Sequence, residues 1–433
     1  GGQMYKLLTR FGRVILVLVA TLGLALSLAA PAHAAPPKPK GSAPAEPKPL
    51  IQIGTAVGPD VAELATFPLE GKRYIVVGGD ITGYRDTKGV THQGDKLYVV
   101  DIHGNFVWGA QNISGGYLHT IQPVTSSDGK SVTLYVGGTF TSVNGKTRDH
   151  VAAFQVRVQD GALDVSLDAT WTPSIKGNVR NITYGDARVY TAAESVTALD
   201  PTTGKQLWST PFQCGAIALL YANKSVYAGG FSRKAGGVTS KGAFKLSPSS
   251  GKVDTRFKPS IPANKKNCGA GKDAYSGSIP LDFAWDAINK RLIECDGGIK
   301  NYVRSLNPTT GKEYEYHRMD GDGQTCTVMG KYLFVGFHRS AGNVNKFTYN
   351  YGQMGMILGA KSLDQKVWQP NPDFSGGGAN NDGRNNGIIA SVYVPDDGDD
   401  DPNDGDGMLV VGGAFQDVGG GGRKKLAAFR VNG

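Results

Sequence analysis

The chain is short of charge, of long apolar runs and of helical pattern, and each shortage excludes something. Charged residues make up 19% of it, and its 46 Lys and Arg are scattered among 37 Asp and Glu. No compact basic stripe of the kind that grips a nucleic-acid backbone is present, so nucleic acid is not an expected partner. One stretch alone, residues 14–28, is apolar enough to suggest a membrane, and it is short for a bilayer. There are seven histidines and four cysteines. They form no HExxH or other paired metal spacing, no phosphate-binding glycine loop occurs, and no GxSxG is followed by a convincing Asp and His. No catalytic constellation is legible.

The apolar run is better explained by what surrounds it. Lys6, Arg10 and Arg13 precede it, and Ala32-His33-Ala34 ends it in the small-x-small pattern that signal peptidase reads. Residues 1–34 are therefore expected to be a signal peptide, starting naturally at Met4 and cleaved after Ala34. No cysteine follows the run to take a lipid. Loss of those three basic residues leaves 43 against 37 acidic ones, so the net charge falls from +9 to +6. Residues 35–49, APPKPKGSAPAEPKP, are too poor in apolar side chains to pack and read as an extended spacer. Residues 50–433 are expected to form one secreted, monomeric all-β domain, with no membrane span after cleavage.

What the chain has in abundance is glycine, 61 residues, and a repeat. Residues 134–154, LYVGGTFTSVNGKTRDHVAAF, return without a gap 275 positions later as 409–429, LVVGGAFQDVGGGGRKKLAAF. Each copy reads as an apolar strand, Gly-Gly, a polar loop with Gly and Arg, and a second apolar strand. The rest of the chain varies this unit, which predicts a repeat architecture. Seven units of short strands follow: 61–67, 74–79, 97–101 and 106–110; 118–124, 134–140, 150–158 and 163–170; 179–184, 188–193, 195–199 and 206–209; 215–220, 225–231, 242–246 and 253–257; 280–284, 291–296, 302–306 and 313–316; 325–329, 332–337, 355–361 and 366–369; 388–394, 408–415 and 424–431. The last unit lacks a strand. Residues 50–57, LIQIGTAV, can supply it, and the prediction is a seven-bladed β-propeller of four-stranded antiparallel blades closed by its N-terminal strand.

A turn recurs between third and fourth strands: ALDPTTGKQLW at 198–208, KLSPSSGKVDTRF at 245–257 and SLNPTTGKEYEY at 305–316. Pro near its start and Gly near its end fix a hairpin. The Gly-Gly strand, the Asn-Gly and Arg after it, the Ala-Ala-Phe strand and this turn resemble the delta-60 type propeller repeats of secreted actinobacterial proteins. The spacing of Asp200, Thr203-Gly204 and Trp208 is also similar to the tryptophan-docking repeat of PQQ-type quinoprotein propellers. The resemblance implies the fold and says little of activity, since propellers host unrelated functions. The turn with Trp is whole in one unit only, which weighs against PQQ as a cofactor.

The candidate sites follow from position. Four cysteines in an exported chain suggest two disulfides. Cys214 and Cys268 are expected at one end of neighbouring blades, while Cys295 replaces a small core residue of unit 5 and Cys326 lies on the inner strand of unit 6, which favours those two pairs. The acidic run 395–407 places Asp399, Asp401, Asn403, Asp404 and Asp406 in partial likeness to a calcium loop; its other reading is a solvated excursion. Arg148 and Arg423 share a repeat position and are expected to order their loops. The long connections, 80–96, 141–149, 232–241, 258–278, 338–354 and 370–386, should all emerge on one face, where binding residues belong. Tyr84, Arg85, His92, Tyr275, His338, Arg339, Tyr351, Asn381, Asp382 and Arg384 are the candidates there, with Tyr349 and Asn380 beside them. The expected function is non-enzymatic binding of an extracellular or cell-envelope protein or glycan. The alternative is an extracellular enzyme, a quinoprotein-like oxidoreductase or a polysaccharide-acting propeller, with His338, Arg339, Asp382 and Arg384 over the axis.

Overall fold

The strands of the computed structural model follow the apolar pattern of the sequence: second strands such as YIVVGG and LVVGG are continuously apolar because both their faces are covered, whereas the outer strand ALDVSL alternates between exposed and half-buried residues. The structure describes residues 50–259, 268, 277–298, 301–319, 321–337, 355–364, 387–395, 407–415 and 424–431. Among them there is no α-helix, and every paired strand in the sheets is antiparallel. Unit 1 runs Asp60–Leu69, Lys72–Asp80, Leu97–Asp101 and Phe106–Gly109; unit 2 runs Leu118–Thr125, Ser131–Gly138, Val151–Gln159 and Ala162–Leu167. Unit 3 is Asn181–Gly185, Arg188–Ala192, Ser195–Leu199 and Gln206–Pro211, and unit 5 is Ser278–Asp286, Arg291–Gly298, Tyr302–Leu306 and Glu313–Arg318. Unit 6 shows Gly323–Met329, Tyr332–Phe337 and Gly355–Gly359, the strand expected at 366–369 lying outside the described residues.

Two expectations need correction. Unit 4 has Ala218–Ala222, Ser225–Gly229 and Ala243–Leu246, but 253–257 is no strand. Val253 makes one bridge to Leu246; then Asp254 accepts the N–H of Arg256 at 3.0 Å, and the turn lets Phe257 bury its ring 5.8 Å from that of Tyr227. In unit 7, Ile388–Pro395, Gly407–Gly413 and Leu426–Val431 take their fourth strand from the N-terminal segment, though only Leu50–Ile51 serves, against Phe429 and Ala428. Thr55–Val57 turns away and pairs with Gly83–Arg85.

The repeated glycines mark close approach. A Cβ on Gly138 would stand 1.9 Å from the Tyr117 carbonyl oxygen, and one on Gly413, 275 residues on, 1.9 Å from that of Gly387. The same glycines donate their N–H groups to His150 at 3.0 Å and Lys425 at 3.1 Å, both of which adopt left-handed φ, 65° and 67°. Such bulged starts turn the third strand into register.

First strands pack side by side from each unit to the next, and that of unit 7 packs on that of unit 1. Gly412 accordingly faces Val61 Cγ1, which a Cβ would meet at 2.4 Å. The core lies between neighbouring sheets: Val76 and Leu97 of unit 1 pack with Leu134 and Phe154 of unit 2, and Val77 and Tyr98 of unit 1 with Val410 and Ala428 of unit 7. The Val, Leu and Phe side chains among these each contribute roughly 1.5–3 kcal/mol on burial. Aromatic residues add a stitch at the recurring turns. Tyr135 donates to the Pro201 carbonyl at 2.9 Å, Trp208 to that of Pro248 at 2.8 Å and Tyr227 to that of Pro308 at 3.0 Å, each reaching the turn of the following unit.

Candidate functional site

The connections expected as loops between second and third strands are hairpins: Gly83–Arg85 with Thr91–Gln93 in unit 1, Ser142–Val143 with Lys146–Thr147 in unit 2, and Lys234–Ala235 with Val238–Thr239 in unit 4. Each docks on the segment that enters its own unit, through Thr55–Val57, Ile113–Ser114 and Phe212 respectively. This changes the standing of the candidates on them. Tyr84 is not a surface residue: it is fully buried, accepts the Gly54 N–H at 3.1 Å and donates to the Gly104 carbonyl at 2.8 Å. Burial pushes its pKa up, and the hydroxyl serves the fold. Arg85 is exposed. His92 stacks on Phe106, ring centroids 4.0 Å apart, with Nε2 2.9 Å from Asp86 Oδ2, and that bond first among several lowers the Asp86 pKa. Its ring is held rather than offered.

Tyr275, His338, Arg339, Tyr349, Tyr351, Asn380, Asn381, Asp382 and Arg384 lie outside the described residues, as do Arg423 and the acidic run with Asp399, Asp401, Asn403, Asp404 and Asp406. Among the described residues no group of three or more His, Cys, Asp or Glu is arranged to hold a metal ion, and no helix is long and apolar enough to cross a membrane. Arg148 is buried and donates to the carbonyls of Thr147 at 2.8 Å and Asp168 at 3.0 Å, which orders its loop. The cysteines pair as Cys214 with Cys268 and Cys295 with Cys326, with Cα atoms 4.8 and 6.2 Å apart.

Unit 3 lacks the hairpin. Its second and third strands join through Ala193 and Glu194 alone, where the Ala193 N–H meets the Ser195 carbonyl at 3.0 Å. The face is lower there, and two clefts fill the step. One, of about 460 Å³, runs outward past Asp149, His150, Ser174, Gln206 and Ser209. The other, of about 830 Å³, runs inward past Arg180, Glu194, Phe212, Ile217 and Phe231. Both are lined by Lys176, Gly177 and Ser195, so they form one groove. Lys176 pairs with Glu194 at 2.9 Å, and the Asp149 carboxylate accepts from Ser174 Oγ at 2.7 Å and the Ile175 N–H at 3.2 Å while keeping its charge. Arg180 is exposed and has neither a carboxylate nor a hydrogen-bond acceptor among the described residues. The walls around it lower its pKa by desolvation.

Sequence reasoning missed the charges around the axis. First strands are bulged after Val61, Leu118, Pro280, Gly323 and Ile388, and the residues at the bulge ends are Glu63, Thr120, Asp282, Thr325 and Ala390. Burial and then Asp282 raise the Glu63 pKa to about 8, although the two come from units that are not neighbours in the chain; burial raises Asp282 to about 7. His119 falls to about 4 through burial and then Arg180. Unit 5 holds a second cluster. Arg304 donates to Asp296 Oδ2 at 2.8 Å, contacts Glu313, reaches Ser278 Oγ at 3.3 Å and lies 4.5 Å from the Tyr302 ring centre. Glu294 is buried beside Asp296; burial and then Asp296 raise its pKa well above the carboxylate range, so it stays a neutral acid. The available signal was the acid at repeat positions that hold Val or Gly elsewhere.

No protein-family model matches the chain, and no curated protein matches it by sequence. Solved structures do resemble it. A chain of the crystal structure of the mitotic checkpoint complex is similar at a TM-score of 0.53 and 11% identity, over 92% of this chain and 96% of that one. The WD40 β-propeller domain of Doa1 gives 0.47 and 11% over 89% and 96%, and Sqt1 of Saccharomyces cerevisiae gives 0.48 and 10% over 88% and 99%. Likeness at such identity concerns the fold, and it agrees with successive antiparallel sheets packed first strand to first strand: the chain is a β-propeller.

Proposed function

We propose that the chain is a secreted, non-enzymatic, seven-bladed propeller of the delta-60 repeat type that binds an extracellular or cell-envelope partner through the face bearing the second-to-third-strand hairpins. Residues 1–34 export it and are removed, and 35–49 remain as an extended segment ahead of the domain. Seven blades closed into a ring are supported by the unit-to-unit packing of first strands and by Gly412 against Val61. Solution scattering of a flat, compact particle is the expected result; an elongated or two-lobed one contradicts it. The observation that carries the binding reading is the groove over unit 3, set in that face and offering a guanidinium, unpaired among the described residues, beside apolar side chains. A rigid scaffold that presents connections on one side is suited to recognition. The test is retention of a partner from an envelope extract and a glycan array by the cleaved protein. Retention weakened in graded steps by single Ala substitutions on this face is expected; no retention from either source contradicts it.

One observation favours the enzyme reading. Glu63, Asp282 and His119, with pKa values near 8, 7 and 4, are the kind of displaced acids and bases that active sites collect. A redox-dye and polysaccharide turnover assay, with and without PQQ and calcium, separates the two. Turnover abolished by Glu63→Gln would replace the binding reading. Calcium at the acidic run is a separate proposal, and calorimetric titration giving no heat at millimolar metal would remove it.

A further inference from the structure

The groove over unit 3 has a composition that narrows its occupant. Its inner half sets Arg180 beside Phe212, Ile217 and Phe231. Lys176 is paired with Glu194, and Asp149, hydrogen-bonded to Ser174 and Ile175, keeps its negative charge in the outer half, so Arg180 supplies the uncompensated positive charge of the inner half. An exposed guanidinium flanked by apolar side chains and without an acceptor among the described residues favours a carboxylate, which it can hold by two parallel hydrogen bonds. The outer half is polar, with Ser174, Gln206 and Ser209. A ligand reaching both halves must be extended, anionic at the inner end, and able to place apolar side chains near the anion. A polyuronate has the charge without the side chains.

We infer that the groove binds an extended acidic peptide segment of the partner, with a Glu or Asp carboxylate on Arg180 and an apolar neighbour against Ile217 and Phe231. This inference rests on the binding reading above and names its site and ligand class. The open groove follows from the missing hairpin: units 1, 2 and 4 carry one, and unit 3 has two residues in its place.

The test uses the cleaved protein and three probes: a fluorescein-labelled peptide carrying Glu and Leu on a Gly/Ser backbone, the same peptide with Gln for Glu, and an oligogalacturonate. Saturable binding of the acidic peptide is expected, weakened about tenfold or more by Arg180→Ala, as loss of a partly desolvated charge pair requires, and by Gln for Glu. Ser195→Trp, which fills the junction of the two clefts, should abolish it while Arg180 remains. Arg256→Ala, at an exposed arginine paired with Asp254 at 2.9 Å, should change nothing. Equal binding by the Arg180→Ala protein, or stronger binding of the oligogalacturonate than of the peptide, overturns the inference. If the parent retains an envelope partner that neither Arg180→Ala nor Ser195→Trp weakens, the inference falls and the binding reading stands; if the parent retains nothing, both fall.

Discussion

The junction of units 2 and 3 and that of units 5 and 6 solve one problem in two ways. The first uses Thr120, Gly137 and Ile182, and the second uses Asp282, Cys295 and Cys326 at the same repeat positions. In both, the residue ending the bulge accepts an N–H from the next first strand: Thr120 Oγ1 from Ile182 at 3.1 Å, Asp282 Oδ2 from Cys326 at 2.8 Å. They differ behind that bond. A Cβ on Gly137 would lie 2.5 Å from Val179 Cγ1 and 3.0 Å from Ile182 Cδ1, so unit 3 already occupies the space. At Cys295 the side chain is present and bonded to Cys326. The repeat therefore constrains how closely blades approach, and either packing or a covalent bond can hold them there.

Breaking the covalent version should have the largest effect. Cys295→Ala with Cys326→Ala opens a loop of 31 residues and should lose roughly 3–4 kcal/mol, read from guanidinium unfolding. Unchanged stability would mean that packing alone holds this seam. The packed version is next: Gly137→Val drives methyl groups into Val179 and should cost about 1–3 kcal/mol, whereas no loss would deny the close approach. The comparison is sharpened by converting one seam into the other. Gly137→Cys with Ile182→Cys should oxidise spontaneously, leaving no thiol beyond those of the parent; persistent free thiols at both sites would show that the junctions are not equivalent.

The smallest effect is in the first of the three positions. Asp282 and Glu63 have folded pKa values of about 7 and 8, raised from 3.8 and 4.5. Raised acids contribute stability that is full below their unfolded values and lost as pH rises through the folded ones. His119, lowered from 6.5 to about 4, acts oppositely as pH falls through that range, so the window from 6.5 to 8 isolates the carboxyls. The melting temperature should fall by a few degrees across it, and Asp282→Asn, which keeps an acceptor for Cys326, should flatten the fall. A profile as steep as the parent's would assign the titration elsewhere.

The packed seams were legible in the sequence because Gly-Gly and Ala-Ala-Phe recur at fixed spacing, and the sheets of units 1, 2, 3 and 5 begin and end within a few residues of expectation. Hairpins inside the long connections were not, since Gly83–Arg85 and Ser142–Val143 are too short to show a period, and their partners come from distant chain. Tyr84 misled for the same reason: its hydroxyl is taken by Gly54 and Gly104, residues that sequence order does not bring near. The groove could be read only as a missing insertion, the two residues of unit 3 against the longer connections of units 1, 2 and 4. Arg180 stands in it without any motif.

The binding face is tested most directly by photocrosslinking. A benzoylphenylalanine replacing Asn178, exposed on the rim of the groove, is compared with one replacing Asp186, exposed in the turn between the first and second strands of unit 3, in cleaved protein mixed with envelope extract. An adduct from position 178 and none from position 186 is the result this account requires. An adduct from 186 alone would place the partner on the other face and contradict it.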